Sequence, residues 1–211
     1  MQLYFSPLAC SMASRITLYE AGATATFVEV DPKTKRTLDG VDYLTINPLG
    51  LVPALRTDAG DLLLENAAIL QYLAESHPEA NLAPRSGFAR ARLQQWLSFI
   101  GTELHKALFV PLFDKALADS TKTKTLETGA KRLAYLEKHL QAREFLLDQF
   151  SIADAYLVTV LNWKIATPVA LEAWPAIAAY FARVKARPAV AKAMQEEFAL
   201  YAEEQKRHKA A

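Results

Sequence analysis

Cysteine is almost missing from this chain. One is present among 211 residues, Cys10, which excludes an intramolecular disulfide framework and a cysteine-built zinc site. An excess of either charge is missing too. The 24 Lys and Arg residues stand against 23 Asp and Glu, for a net charge of +1, so no basic surplus steers the chain to nucleic acid or an anionic membrane. No apolar run reaches the roughly 18 residues of a spanning helix. Residues 1–14 carry no charged side chain, so the basic start of a secretory signal is lacking. His77, His105, His139 and His208 show no metal-ligand spacing. The expectation is a soluble, cytoplasmic protein with no metal, no membrane and no nucleic-acid partner. What the chain has in quantity is hydrocarbon: 52% of residues are apolar, enough core for one large or two small domains.

Leu3-Tyr4-Phe5 is short, apolar and aromatic, as in a strand buried on both faces. Ser6-Pro7 breaks it, and Cys10-Ser11 opens a helical pattern through Met12, Ile16 and Tyr19. The thiol is therefore expected where a strand hands over to a helix N-terminus. Unpaired N–H groups and the helix dipole there favour the reactive thiolate. The plainer reading is a small buried hydrophobe.

Thr26 to Val30 reads as a second strand, completing a βαβ unit with a parallel pair. Asp31 to Gly40 is polar and carries Lys33, Lys35 and Arg36: a solvated loop, or a cationic lip for a carboxylate. Val52-Pro53 precedes a strand over Ala54 to Thr57, a position that proline tolerates and where a cis bond is a candidate. That geometry offers the Val52 N–H and C=O to a peptide-like ligand added as a strand; the alternative is a trans proline ending a loop. Asp58 to Asp61 turns the chain into Leu62-Leu63-Leu64 as a hairpin. A helix follows, with Asn66 as N-cap. Either its first N–H groups hold a ligand carboxylate and Glu65 accepts from an ammonium, or both residues merely cap the helix. The order β-α-β, then β-β-α, is a thioredoxin-like layout with the cysteine at the first βα junction.

Ser76 to Gly87 shifts to turn-formers, which sets domain boundaries at 1–77, a linker at 78–87, and an all-helical remainder at 88–211. Phe88 to about Ala118 carries a core stripe at Leu93, Leu97, Ile100, Leu104 and Leu108, and Pro111 should kink or split it. Ser98, Thr102 and His105 fall on a second, polar face. That face meets solvent, or it lines a cleft from which His105 and Lys106 reach the sulfur. Thr125 to Gln141 reads as a helix. Ser151-Ile152-Ala153-Asp154 has the layout of a capping box with a structural role, ahead of an apolar core helix to about Ala166. In that helix Tyr156, Val160 and Trp163 share an aromatic face, a pattern most often core, and Trp163, near the helix end, is the one assigned to a substrate pocket. Pro175 and Pro188 start two further helices, and the charged Tyr201 to Ala211 is expected to fray.

Five stretches together carry a family resemblance: Ala9-Cys10-Ser11-x-Ala13-Ser14; Asn47-Pro48-x-Gly50-x-Val52-Pro53-Ala54-Leu55; Glu65-x-x-Ala68-Ile69-x-Gln71-Tyr72-Leu73; Trp96-Leu97 with Thr102-Glu103-Leu104-His105-Lys106; and Ser151-Ile152-Ala153-Asp154-Ala155-Tyr156. The chain resembles the bacterial, beta-class glutathione S-transferases over nearly its whole length. The resemblance implies a thioredoxin-like N-terminal domain followed by an all-α C-terminal domain, working as a homodimer with glutathione as co-substrate. It implies that Cys10 faces the glutathione sulfur with Ser11 beside it, and that Lys35 meets the glycyl carboxylate. Val52, ahead of a cis Pro53, would pair with the cysteinyl backbone, and Glu65 and Asn66 would hold the γ-glutamyl end. Ser98 and Glu103 match glutathione-binding positions, in part across the dimer interface. His105 and Lys106 match residues that approach the cysteine sulfur. Leu8, Phe109, Phe113 and Trp163 are the candidate walls of an apolar electrophile pocket. Two positions depart from the pattern: Asn66, where serine or a small residue is usual, and Ser98, often asparagine. The implied activity is conjugation of glutathione to small electrophiles. The rival is thiol-disulfide chemistry through a Cys10–glutathione mixed disulfide. The third reading is a non-catalytic binding or regulatory protein.

Overall fold

The computed structural model describes residues 1–210, the side chain of the last excepted. The chain divides into two units: Met1–Leu82 together with Pro188–Ala211, and Ala83–Arg187.

The first unit is built on four short strands: β1 (Gln2–Phe5), β2 (Thr26–Glu29), β3 (Ala54–Arg56) and β4 (Leu62–Leu64). Their order in the sheet is β2-β1-β3-β4. β1 and β2 are parallel, bridged by helix α1 (Met12–Glu20), while β3 runs antiparallel to both β1 and β4. Helix α2 (Asn66–Ser76) follows, and its side chains Ile69 and Leu73 pack with Leu3, Leu18 and Leu55 in one core cluster. The other face of the sheet buries Tyr4, Val30, Tyr43 and Ala54. Each fully buried aliphatic side chain contributes about 1.5–3 kcal/mol, which suits strands this short to a structural role. The β-α-β, β-β-α order expected from sequence is the order found.

The second unit begins with α3 (Gly87–Phe99) and runs without a break into a π-helical stretch, Ile100–Phe109, and then α4 (Val110–Phe113). The expected core stripe Leu93, Leu97, Ile100, Leu104 and Leu108 is buried throughout. Pro111 lies in the first turn of α4 and the helix stops at Phe113, short of the expected Ala118. Helix α5 (Asp119–Leu140) starts earlier than the sequence pattern indicated. Helix α6 (Ile152–Asn162) is buried at every position, as its apolar sequence requires, and α7 (Pro175–Lys185) closes the unit. The capping box is present: Asp154 accepts from the Ser151 N–H at 2.9 Å. The same carboxylate also accepts from the Leu146 N–H at 2.9 Å and the Tyr180 hydroxyl at 2.8 Å. Burial raises its pKa, against the lowering effect of those hydrogen bonds.

Two expectations need correction here. The sequence reading put 88–211 in one helical region, but the last helix, α8 (Pro188–Ala210), belongs with the first unit and packs on α1. The reason is a buried ion pair that sequence distance conceals. Arg15 of α1 donates through Nε to Glu197 at 2.9 Å, with its guanidinium over the rings of Phe5 and Phe27. The second correction follows from the first. Residues 201–210 are helical, Ala211 lying outside the described residues; Arg207 is ion-paired to Glu29, and His208 Nε2 is hydrogen-bonded to Asp31. No helix among the described residues is long and apolar enough to cross a membrane.

Candidate functional site

In the first unit, β1 delivers the chain to Ser6, and a tight loop carries it to α1. Cys10 lies in that loop, half-buried and free of any disulfide. The N–H groups of Met12, Ala13 and Ser14 fold back onto the carbonyls of Ala9, Cys10 and Ser11, so these first-turn donors are used within the loop. This differs from the unpaired donors expected beside the sulfur. The thiol instead donates to the carbonyl of Val52 at 3.3 Å. Ser11 is fully buried, and its hydroxyl accepts from the Ser6 N–H at 3.3 Å and donates to the Ser6 carbonyl at 3.2 Å. That makes Ser11 a brace of the cysteine loop.

Leu8 sits in the same loop at φ 60°, a left-handed conformation that a leucine adopts only when its surroundings enforce it. The enforcement is visible. Its N–H donates to Glu197 Oε2 at 2.7 Å, and Glu197 is held by Arg15. Burial is the main influence on Glu197 and raises its pKa to about 7, with Arg15 and the Leu8 N–H acting in the opposite direction. Sequence reasoning missed this support. The available signal was a carboxylate at position 197, in line with the apolar Val190, Ala193 and Met194, and an arginine on the buried side of α1.

The Val52–Pro53 bond is cis, and Pro53 is buried at the start of β3. Lys35 is half-buried at φ 54°, and its Nζ donates to the carbonyl of Gly50 at 3.0 Å. Gly50 is itself at φ 62°, and a Cβ there would lie 3.1 Å from Leu44 and 3.3 Å from the Lys35 stem. Glycine is thus required both by the turn and by the seat of the lysine. At the start of α2 the expected capping shifts by one residue. Glu65, at φ 68°, is the N-cap, and Asn66 is the first helical residue. A left-handed residue ends the approach to the helix, and Asn66 follows it into the helical turn. The Ser14 hydroxyl donates to Asn66 Oδ1 at 3.1 Å, while Asn66 Nδ2 is buried without a partner. Cys10 and Val52 are therefore in contact, α1 ties Asn66 to the same region through Ser14, and Lys35 is bonded two residues from Val52.

In the second unit, His105 sits on the π-helical stretch. Bonds of the i→i+5 kind put more residues in each turn, so α-helical spacing no longer decides which face a side chain takes. Ser98 and Thr102 are exposed as a polar row should be, but His105 is buried. This corrects the single polar face expected from the sequence. His105 Nδ1 shares a hydrogen bond with the Tyr156 hydroxyl at 2.7 Å. Burial, assisted by the neighbouring Lys106 charge, lowers the His105 pKa to about 4, so the ring is neutral at pH 7. Trp163 lies edge-on to His105, Phe109 and Phe113, with centroid distances of 4.8, 5.9 and 5.5 Å. The aromatic candidates thus form one cluster with the histidine at its edge. Lys106 is exposed. Glu103 is paired to Arg132 at 2.6 Å, part-exposed. Among the described residues, no group of acidic, histidine or cysteine side chains is arranged to hold a metal ion.

Comparison with known proteins agrees with this architecture. Residues 1–75 match the glutathione S-transferase N-terminal domain, and residues 102–188 match the glutathione S-transferase C-terminal domain. The chain is 44% identical over 199 residues to the glutathione S-transferase GstA of Escherichia coli O157:H7, covering 93% of this chain and 98% of that protein. Among solved structures, a sphingomonad glutathione S-transferase complexed with glutathione superposes with a TM-score of 0.89 at 44% identity, covering 93% of this chain and 98% of the other. The beta-class glutathione S-transferase of Sphingomonas chungbukensis gives 0.88 at 43%, with the same coverage. Sequence motifs, sheet topology and these likenesses agree: this chain belongs to the glutathione S-transferase family.

Proposed function

We propose that this chain is a glutathione transferase that activates the thiol of glutathione for attack on small, mostly apolar electrophiles. The observation that carries the reading is the 3.3 Å contact between Cys10 Sγ and the Val52 carbonyl. It sets the sole cysteine against the backbone segment suited to pairing with a peptide-like ligand. Lys35 is assigned to the glycyl carboxylate, Val52 to the cysteinyl backbone, and Glu65 with the N–H groups at Asn66 to the γ-glutamyl end. Ser98 and Glu103 are assigned supporting contacts to glutathione, Glu103 in competition with Arg132. Leu8, Phe109, Phe113 and Trp163 are assigned to the electrophile. His105 and Lys106 are assigned to the sulfur chemistry, His105 as a neutral hydrogen-bonding group. Lowering the thiol pKa of the ligand raises its thiolate fraction, and holding both reactants together supplies much of the remaining acceleration. The working form is assigned as a cytoplasmic homodimer.

Cys10 is part-exposed and forms no disulfide, which favours a second reading beside the first. Its thiolate attacks a glutathione mixed disulfide, releasing the other thiolate and forming Cys10–S–S–glutathione. A second glutathione thiolate then attacks that bond, yielding oxidised glutathione and regenerating Cys10. Replacing Cys10 by Ala and assaying both reactions separates them. Loss of disulfide reduction with conjugation intact confines Cys10 to redox work. Loss of both makes it common to the two reactions. Calorimetry with glutathione tests the non-catalytic reading: no heat at millimolar ligand would overturn the transferase assignment.

A further inference from the structure

The end of α8 is charged and close to the chain terminus, yet it is tied firmly into the first unit. Arg207 pairs with the buried Glu29 at the end of β2. One residue on, His208 Nε2 lies 2.7 Å from Asp31 Oδ2, and its Nδ1 lies 3.8 Å from Glu204. The imidazole is nearly buried between two carboxylates, at 11% exposure.

Asp31 is more than an ion-pair partner. Its other oxygen, Oδ1, accepts from the N–H groups of Lys33 at 2.8 Å and Thr34 at 3.0 Å, and its own carbonyl accepts from the Lys35 N–H at 3.0 Å. These bonds form the turn that carries Lys35 into its left-handed conformation. The Lys35 carbonyl then accepts from Tyr43 at 2.9 Å, and its ammonium reaches Gly50. A single carboxylate thus has one oxygen on the turn and the other on the last turn of α8. Burial opposes the charged form of Asp31, but the Thr34 N–H, His208 and the Lys33 N–H outweigh it and lower the pKa to about 2. Asp31 therefore remains an acceptor at every working pH.

We propose that His208 is a positioning residue for Lys35: by fixing the orientation of the Asp31 carboxylate, it holds the turn that presents the Lys35 ammonium to a ligand carboxylate. This rests on the assignment of Lys35 to the glycyl carboxylate of glutathione. His208 touches neither reacting atom nor ligand in this scheme. Its effect is expected in glutathione affinity and not in the chemical step.

The test compares His208→Ala, His208→Gln, Lys35→Met and the double variant Lys35→Met/His208→Ala in the full-length chain. Glutathione KM, electrophile KM and kcat are measured, with glutathione Kd by calorimetry. Lys35→Met raises the glutathione KM. His208→Ala raises it about three- to tenfold, the range of one ordinary hydrogen bond, since the lost contact acts on the ligand only through Asp31 and Lys35, with kcat and electrophile KM unchanged. His208→Gln recovers most of the affinity, because its amide N–H replaces the Nε2 donor. In the Lys35→Met background, His208→Ala adds little, since the group it positions is gone. Three results overturn the proposal while leaving the Lys35 assignment intact: no change in glutathione KM with His208→Ala, a loss shared equally by kcat and both KM values, or full additivity in the double variant. No effect of Lys35→Met would instead remove the assignment on which the proposal stands.

Discussion

The two units hold their candidate residues by different means. In the first unit the backbone sets them. Leu8, Lys35 and Glu65 have φ of 60°, 54° and 68°, and the cis bond at Pro53 follows Val52. Every one of these is a proposed ligand residue or lies within two positions of Cys10. Among its described residues the second unit has no such non-glycine residue; its candidates ride on α-helix, on the π-helical stretch or, for Trp163, on a 3-10 turn, and rings set the aromatic ones. His105 takes its place from Tyr156 and Trp163. A strained backbone persists only where its surroundings over-determine it, so the first unit needs fixed polar anchors such as Glu197 and Asp31. The second relies on packing, with the buried Asp154 and the part-buried Glu137 holding backbone N–H groups at helix starts and turns.

This contrast can be broken by substitution. The largest effect is expected in the first unit. Arg15→Met leaves the fully buried Glu197 without its counter-ion, and stability to urea should fall by about 3–5 kcal/mol. Adding Glu197→Leu should recover part of that loss but not the glutathione affinity, because the Leu8 N–H has lost its acceptor.

The next effect lies in the second unit and depends on pH. His105 titrates at about 4 when folded and near 6.5 when unfolded. As pH falls below 6.5 the unfolded chain takes up that proton first. The stability present at pH 7 is therefore lost progressively towards pH 4, by on the order of 3 kcal/mol from this group. Urea midpoints at pH 7 and pH 5 should differ less in His105→Gln than in the parent. Glu197 has the opposite sign: its folded pKa of about 7 lies above the ordinary value, so its contribution is full below about 4.5 and fades as pH rises to 7.

Asp154→Ala should cost about 2 kcal/mol, from the lost cap and the Leu146 and Tyr180 donors left without their acceptor. Its glutathione Kd should not change; a change would blur the division between the units. The smallest effect sharpens the contrast most. Gly50→Ala adds a Cβ at positive φ against the Lys35 stem, at about 1 kcal/mol. It should raise the glutathione KM severalfold with little change in kcat.

What was legible in the sequence was local. The β-α-β order, the strand-initial Pro53 and the Ser151–Asp154 box each depend on residues within a few positions of one another, and each is present. What was not legible depended on distance or on winding. Arg15 and Glu197 are 182 positions apart, so the docking of α8 on α1 left no periodic trace. The fraying expected after Tyr201 followed from charge alone and took no account of Glu29 and Asp31, whose carboxylates hold Arg207 and His208. His105 was placed with Ser98 and Thr102 by α-helical spacing, and the π-helical stretch that buries it has no composition of its own. The one-residue error at Glu65 and Asn66 has a local origin, since asparagine is the better N-cap by propensity and a left-handed glutamate is rare.

The membership of α8 has a consequence for biosynthesis. Because the first unit draws on both ends of the chain, a ribosome releases its sheet early but its bracing glutamate only after all of Ala83–Arg187 has been made. The middle of the polypeptide can therefore reach its native form first, while the amino-terminal segment waits in the tunnel's wake for the helix that completes it.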